Sequence, residues 1–237
     1  MSFWNKKLTF LAVFATVLLL LAFGLVLFYA PVEQNMGIVQ KVFYFHVSAA
    51  WLGMLAFFVA AVCAGLFLSK ADMKADAVAA SAVEIGLLFT AIANFTGMLW
   101  ARPVWNTWWT WDPRLTTMTI MAFTYVAYFL LRRGIDDPTK KARFGAIYLL
   151  VGFASVPLTF FSARLLRTIH PTIFGGGMGE MAMTPRMVQT MGFSIFAFTV
   201  LFVLLLITRS RLRLLAASLR EQERRDDQEE FGEVTHA

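Results

Sequence analysis

Six long stretches with almost no charge dominate this chain: Leu8 to Ala30, Phe43 to Leu68, Ala77 to Leu99, Thr116 to Leu131, Phe144 to Ala163 and Met187 to Thr208. A bilayer core of about 30 Å takes roughly 20 apolar residues per helix. Inside hydrocarbon only helices or closed barrels satisfy every backbone polar group. The stretches have that length or can be extended to it, so they predict an all-α protein with six membrane-spanning helices. Composition agrees: 59% of the 237 residues are hydrophobic and 15% are charged, against about a quarter charged in soluble domains. Lys6 and Lys7 precede the first stretch as they would in a signal peptide. Its apolar run is much longer than a signal core, so it is expected to stay as the first helix.

Charge placement predicts orientation. Lys6, Lys7, Lys70, Lys74, Arg132, Arg133, Lys140, Lys141, Arg143 and six arginines of the tail fall on one side of the six spans. Only Lys41, Arg102, Arg114, Arg164, Arg167 and Arg186 fall on the other. The positive-inside rule then puts both termini inside, N-in and C-in. Residues 1–208 form the membrane domain and 209–237 a charged cytoplasmic tail. The tail is basic near the membrane and acidic further out, and is expected to be an exposed helix. The net charge of +6 reflects this membrane asymmetry rather than nucleic-acid binding. The one cysteine, Cys63, lies in an apolar span and reads as a small hydrophobe. No CxxC, glycine-rich phosphate loop or nucleophile elbow appears, which leaves redox thiol, ATP and serine-hydrolase chemistry without support.

The outer side carries what chemistry there is. The loop 100–115 contains WNTWWTWDPRLTT, with Trp105, Trp108, Trp109 and Trp111 within seven residues. Helical spacing would put Trp105, Trp108, Trp109 and Asp112 on one face. Interfacial indoles commonly anchor membrane proteins; this density equally suits a flat surface for a flat ligand. Asp112-Pro113 has the form of a helix start, an N-cap followed by proline at the first helical position. Arg114 then opposes the helix dipole, which hints at an anionic partner.

Two of the three histidines, His46 and His170, lie on the same outer side, and His236 lies in the tail. Imidazole is a standard axial ligand of haem iron, and indoles can stack on a porphyrin. Arg102, Arg114, Arg164 and Arg167 are candidates for the propionates, with lipid headgroup contact as the alternative. No apolar span carries a histidine at mid-membrane, so a haem buried between helices in the cytochrome b manner is not expected. Three lesser features remain. Five methionines fall between Met178 and Met191 around Gly175 to Gly177, a conceivable copper(I) site but more in keeping with adaptable packing. Glu84 is an intramembrane carboxylate with either a functional or a helix-packing role. Pro157 should kink the fifth helix.

The run from Trp105 to Thr116, the FHVSAAW segment around His46, LWARPVWNTWW and RTIHP around His170 resemble the WWD-motif haem-handling family of cytochrome c maturation. Within it they most resemble the system I branch of haem exporter protein C (CcmC), over essentially the whole chain. Asn106 stands where that family commonly has glycine, Pro113 where alanine is usual, and Leu165-Leu166 where a tryptophan pair often precedes the second histidine. The resemblance implies non-covalent haem b, held on the WWD segment between axial histidines at His46 and His170. It implies a non-enzymatic role in a bacterial inner membrane, delivering haem on the periplasmic side to the chaperone CcmE. It also implies an ABC module (CcmA and CcmB) and the small membrane protein CcmD as partners. Two other readings stay open on the residues alone: an assembly subunit whose tryptophans only anchor the loop, and a transporter moving haem through its own bundle past Glu84 and Asn94.

Overall fold

The computed structural model describes residues 5–34, 36–171 and 183–236, with side chains as far as residue 228. Among the described residues seven α-helices account for six spans: α1 (Lys6–Gly24), α2 (Val42–Lys70), α3 (Met73–Trp105), α4 (Pro113–Arg133), α5 (Pro138–Gly152), α6 (Ser155–Leu165) and α7 (Pro185–His236). The protein is all-α with six helices long and apolar enough to cross a membrane. The fifth span is α5 and α6 together. The helix interrupts at Phe153 and Ala154, one turn ahead of Pro157. Proline supplies no N–H to the carbonyl four residues back and clashes with it, so the break falls where the residue chemistry requires. A single π-helical turn, Leu25–Tyr29, ends the first span, and Lys41 Nζ donates to the Leu27 carbonyl there at 2.5 Å.

The centre of the bundle is the antiparallel pair α2 and α3, the most extensive helix contact in the molecule. Between lipid-exposed helices the hydrophobic effect supplies little, and close approach through small residues replaces it. Ala49, Gly53, Ala56, Ala60 and Ala64 line the buried side of α2, facing Ala79, Ala82, Gly86 and Ala93 of α3. A β-carbon on Gly53 would stand 2.8 Å from Thr90 Oγ1, and one on Gly86 2.6 Å from the Phe57 ring. Phe57 then stacks on Tyr125 of α4, with centroids 3.6 Å apart and planes within 3°. Helix α7 packs on α1, α2 and α3, while α6 packs mainly on α4.

Charged side chains tie the bundle together at the end away from the tryptophan loop. Arg132 of α4 holds Asp76 of α3 in a two-point pair at 2.5 and 2.8 Å. Glu84 accepts from Arg209 (2.7 and 2.8 Å) and Arg213 (2.8 Å), both on α7. Glu84 is therefore committed to helix packing. Helix α7 runs through Thr208 without a break, at 1.5 Å per residue a rod of roughly 78 Å, so its last turns project beyond any bilayer. Cys63 is half-buried and packs against the central core. Of the methionine-rich stretch, Met178, Met181 and the glycines lie outside the described residues. Met183, Met187 and Met191 pack with Val26, Phe43 and Tyr44, which is the role of gap-filling side chains.

Candidate functional site

Spans alternate in direction, so the start of α2, the end of α3, the start of α4, the end of α6 and the start of α7 meet at one end of the bundle. His46 comes from the second turn of α2 and His170 from the segment just after α6. Their ring centroids are 6.4 Å apart, 40° from coplanar. A first-row metal ion stands about 2 Å from an imidazole nitrogen, so two axial imidazoles on one iron have centroids roughly 6 Å apart. The two rings already have that spacing.

Both rings also have Nδ1 engaged by a carbonyl. His46 Nδ1 lies 2.9 Å from the Ala93 carbonyl oxygen, and His170 Nδ1 lies 3.1 Å from that of Pro171. A carbonyl only accepts, so Nδ1 carries the proton in each ring and Nε2 keeps its lone pair. This is the usual state of a metal-binding histidine, whose second nitrogen donates to a carbonyl or carboxylate. Thr96 Oγ1 adds a contact to His46 Nδ1 at 3.2 Å. Gly97 makes room for the ring: a β-carbon there would come within 3.0 Å of His46 Cε1. Burial, assisted by the Arg114 charge and by His46, pushes the His170 pKa down to about 4. At neutral pH His170 is uncharged, the form in which an imidazole can ligate a metal.

Asp112 is buried and works as a clamp. Its carboxylate caps α4 by accepting from Arg114 N at 2.9 Å. It also accepts from the Thr168 hydroxyl at 2.6 and 2.7 Å and from Ile169 N at 2.9 Å. Thr168 Oγ1 in turn accepts from His170 N at 3.0 Å. One carboxylate thus joins the tryptophan loop to the segment carrying the second histidine. Thr168, Thr96 and Gly97 are the residues that sequence reasoning missed. Thr168 lies inside the RTIHP segment, but its partner Asp112 is 56 positions away, and Thr96 and Gly97 meet His46 about 50 positions away.

The tryptophan loop departs from its expected shape. Helix α3 continues to Trp105 and α4 begins at Pro113, leaving residues 106–112 irregular. Asn106 closes α3 in the left-handed region at φ 54°, where glycine and asparagine are tolerated best. Trp105, Trp108, Trp109 and Asp112 therefore share no helical face, which corrects the 3.6-period reading. The loop nevertheless brings Trp105, Trp108 and Trp109, with Trp100, around a cleft of about 30 Å³ that also touches both histidines. Trp111 lies outside that lining, 80% exposed and edge-on to Trp109.

A second, larger cavity of about 420 Å³ shares both histidines with the tryptophan cleft. Arg114 and Arg164 line it, together with Phe160, Trp51 and Met118. Arg114 reaches α6, donating to the carbonyls of Thr159 and, at 3.0 Å, Phe160. Its position against the dipole thus has a structural explanation as well as a cavity to face. Arg102 donates to Asn106 O and Oδ1, both at 2.7 Å, and sits over the Trp108 ring. Arg167 is exposed and borders neither cavity. Of the four candidate arginines, the structure brings Arg114 and Arg164 together with the histidines and assigns Arg102 to the loop.

The family described as CcmC: Heme exporter protein C matches residues 1–225 of the chain. Curated relatives agree along most of the length. The Heme exporter protein C of Bradyrhizobium diazoefficiens is 34% identical over 207 residues, 87% of this chain and 79% of that protein. That of Rhodobacter capsulatus is 34% identical over 215 residues, 90% and 88% of the two chains. That of Escherichia coli strain K12 is 32% identical over 183 residues, 77% and 74%.

Proposed function

Because the chain belongs to the haem exporter protein C family, a multi-pass membrane component of haem handling in cytochrome c maturation, we propose that it holds haem at one end of its bundle and passes it on. His46 and His170 ligate the iron through Nε2. Trp105, Trp108 and Trp109 bound the porphyrin on the loop side, while Trp111 stands further out. Arg114 and Arg164 hold the propionates, and Asp112 positions rather than ligates. The haem is non-covalent haem b. The observation that carries the reading is the histidine pair: a 6.4 Å centroid spacing with both Nδ1 atoms committed to carbonyls.

The finer assignments follow from family and charge. The chain is N-in and C-in in the bacterial inner membrane, with the haem end periplasmic. It delivers to CcmE and works with CcmA, CcmB and CcmD. Delivery is tested by mixing the purified, haem-loaded protein with haem-free CcmE and following covalent haem on CcmE in denaturing gels. Haem appears on CcmE with the native protein and falls at least tenfold when His46 and His170 are both alanine. Equal loading of CcmE from the native protein and from the variant would contradict delivery by this site.

A further inference from the structure

The larger cavity is more than a pocket beneath the histidines. It follows α2 from His46 to Met54, eight residues or about 12 Å of helix. Its polar groups gather at the loop end, where His46, His170, Arg114 and Arg164 meet, and its deeper wall is Trp51, Met54, Met118, Phe160 and Ile195. Ile195 belongs to α7 and Phe160 to α6, and the described residues of these two helices have almost no contact with each other. At their junction two large aromatic rings are incompletely covered: Trp51 is 41% exposed and Phe160 40%. The Trp51 indole N–H donates to Thr199 Oγ1 on α7 at 3.2 Å, so the ring bridges α2 and α7. Asn94 borders both cavities, and its buried Oδ1 has no partner among the described residues.

We propose that this cavity is a lateral doorway between α6 and α7, through which haem dissolved in the bilayer reaches the histidine pair, with Trp51 and Phe160 as its doorposts. The inference rests on the haem reading above and adds the source of the ligand. An amphiphile with one carboxylate edge and one hydrocarbon edge fits the polarity gradient in a single direction, propionates towards Arg114 and Arg164. The tryptophan cleft, which shares both histidines with the cavity but is walled by the loop indoles, is then left as the face from which haem departs.

The full chain is reconstituted in phospholipid nanodiscs and mixed with vesicles that carry haem in their membrane. The appearance of the Soret band reports loading. Ile195→Trp and Ala163→Trp, which narrow the doorway, slow loading at least tenfold. Trp51→Ala, which widens it, speeds loading about threefold. Phe123→Trp, a bulky change on an exposed face of α4, loads like the native chain. Native rates in both narrowing variants overturn the doorway, and so does an unchanged or slower rate in Trp51→Ala should the narrowing variants fail to fold. The haem reading fails separately: replacing both histidines by alanine would then leave the native Soret band intact.

Discussion

At the scale of single residues, the site depends on side chains that hold the histidines as much as on the histidines themselves. Gly97 has a close approach to satisfy, since any β-carbon meets the His46 ring at 3.0 Å. Gly97→Ala therefore separates stability from function. Alanine favours the helix by about 1 kcal/mol, so the melting temperature holds or rises, while haem retained through purification falls several-fold. Asp112 and Thr168 separate in another way. Asp112→Ala removes the helix cap, costing about 1 kcal/mol, and frees the His170 segment. Thr168→Val leaves the cap and removes the hydroxyl between Asp112 and His170. Both variants lose haem in a pyridine haemochrome assay, and only Asp112→Ala shows the larger drop in thermal stability.

At the scale of elements, the same residue types act differently according to where the helices bury them. Asp76 and Arg132 are 9% and 14% exposed at their side chains, whereas Glu84 is 42% exposed. Asp76→Ala leaves a buried guanidinium without its partner and costs about 3 kcal/mol. Glu84→Gln weakens pairs whose carboxylate is 42% exposed, keeps a hydrogen-bonding amide in its place, and costs less than the Asp76 change. Thermal denaturation in detergent measures both, and the haem spectrum of each folded variant stays native because the ion pairs lie at the far end of the bundle. The elements also show what sequence patterns transmit. Six apolar runs, the start of α4 at Asp112-Pro113 and the break ahead of Pro157 are local consequences of local chemistry, so each was legible. The conformation of residues 106–112 was not. Helical periodicity predicts a continuing helix, but Asn106 in the left-handed region stops it, and the loop is then shaped by partners on α6 and beyond.

At the scale of the whole molecule, the topology gathers the two histidines, the tryptophan cleft and two arginines at one end while the structural ion pairs hold the other. The sequence revealed the candidate ligands because so few histidines occur in the chain. It did not reveal the 6.4 Å spacing, the Nδ1 anchors or the doorway, which arise from contacts between α2, α3, α6 and α7. Orientation has its own check. With Cys63 replaced by alanine, Trp111→Cys, at an exposed loop position, is labelled in intact spheroplasts by a membrane-impermeant maleimide. Labelling only after lysis would reverse the N-in, C-in assignment. The central claim, that His46 and His170 are axial ligands of one haem, is tested most directly by the visible spectrum and haem content of the purified chain. The account predicts a low-spin Soret band in the native protein and its loss, with at least a tenfold fall in haem, in the His46→Ala, His170→Ala double variant. An unchanged band and haem content in that variant would contradict it.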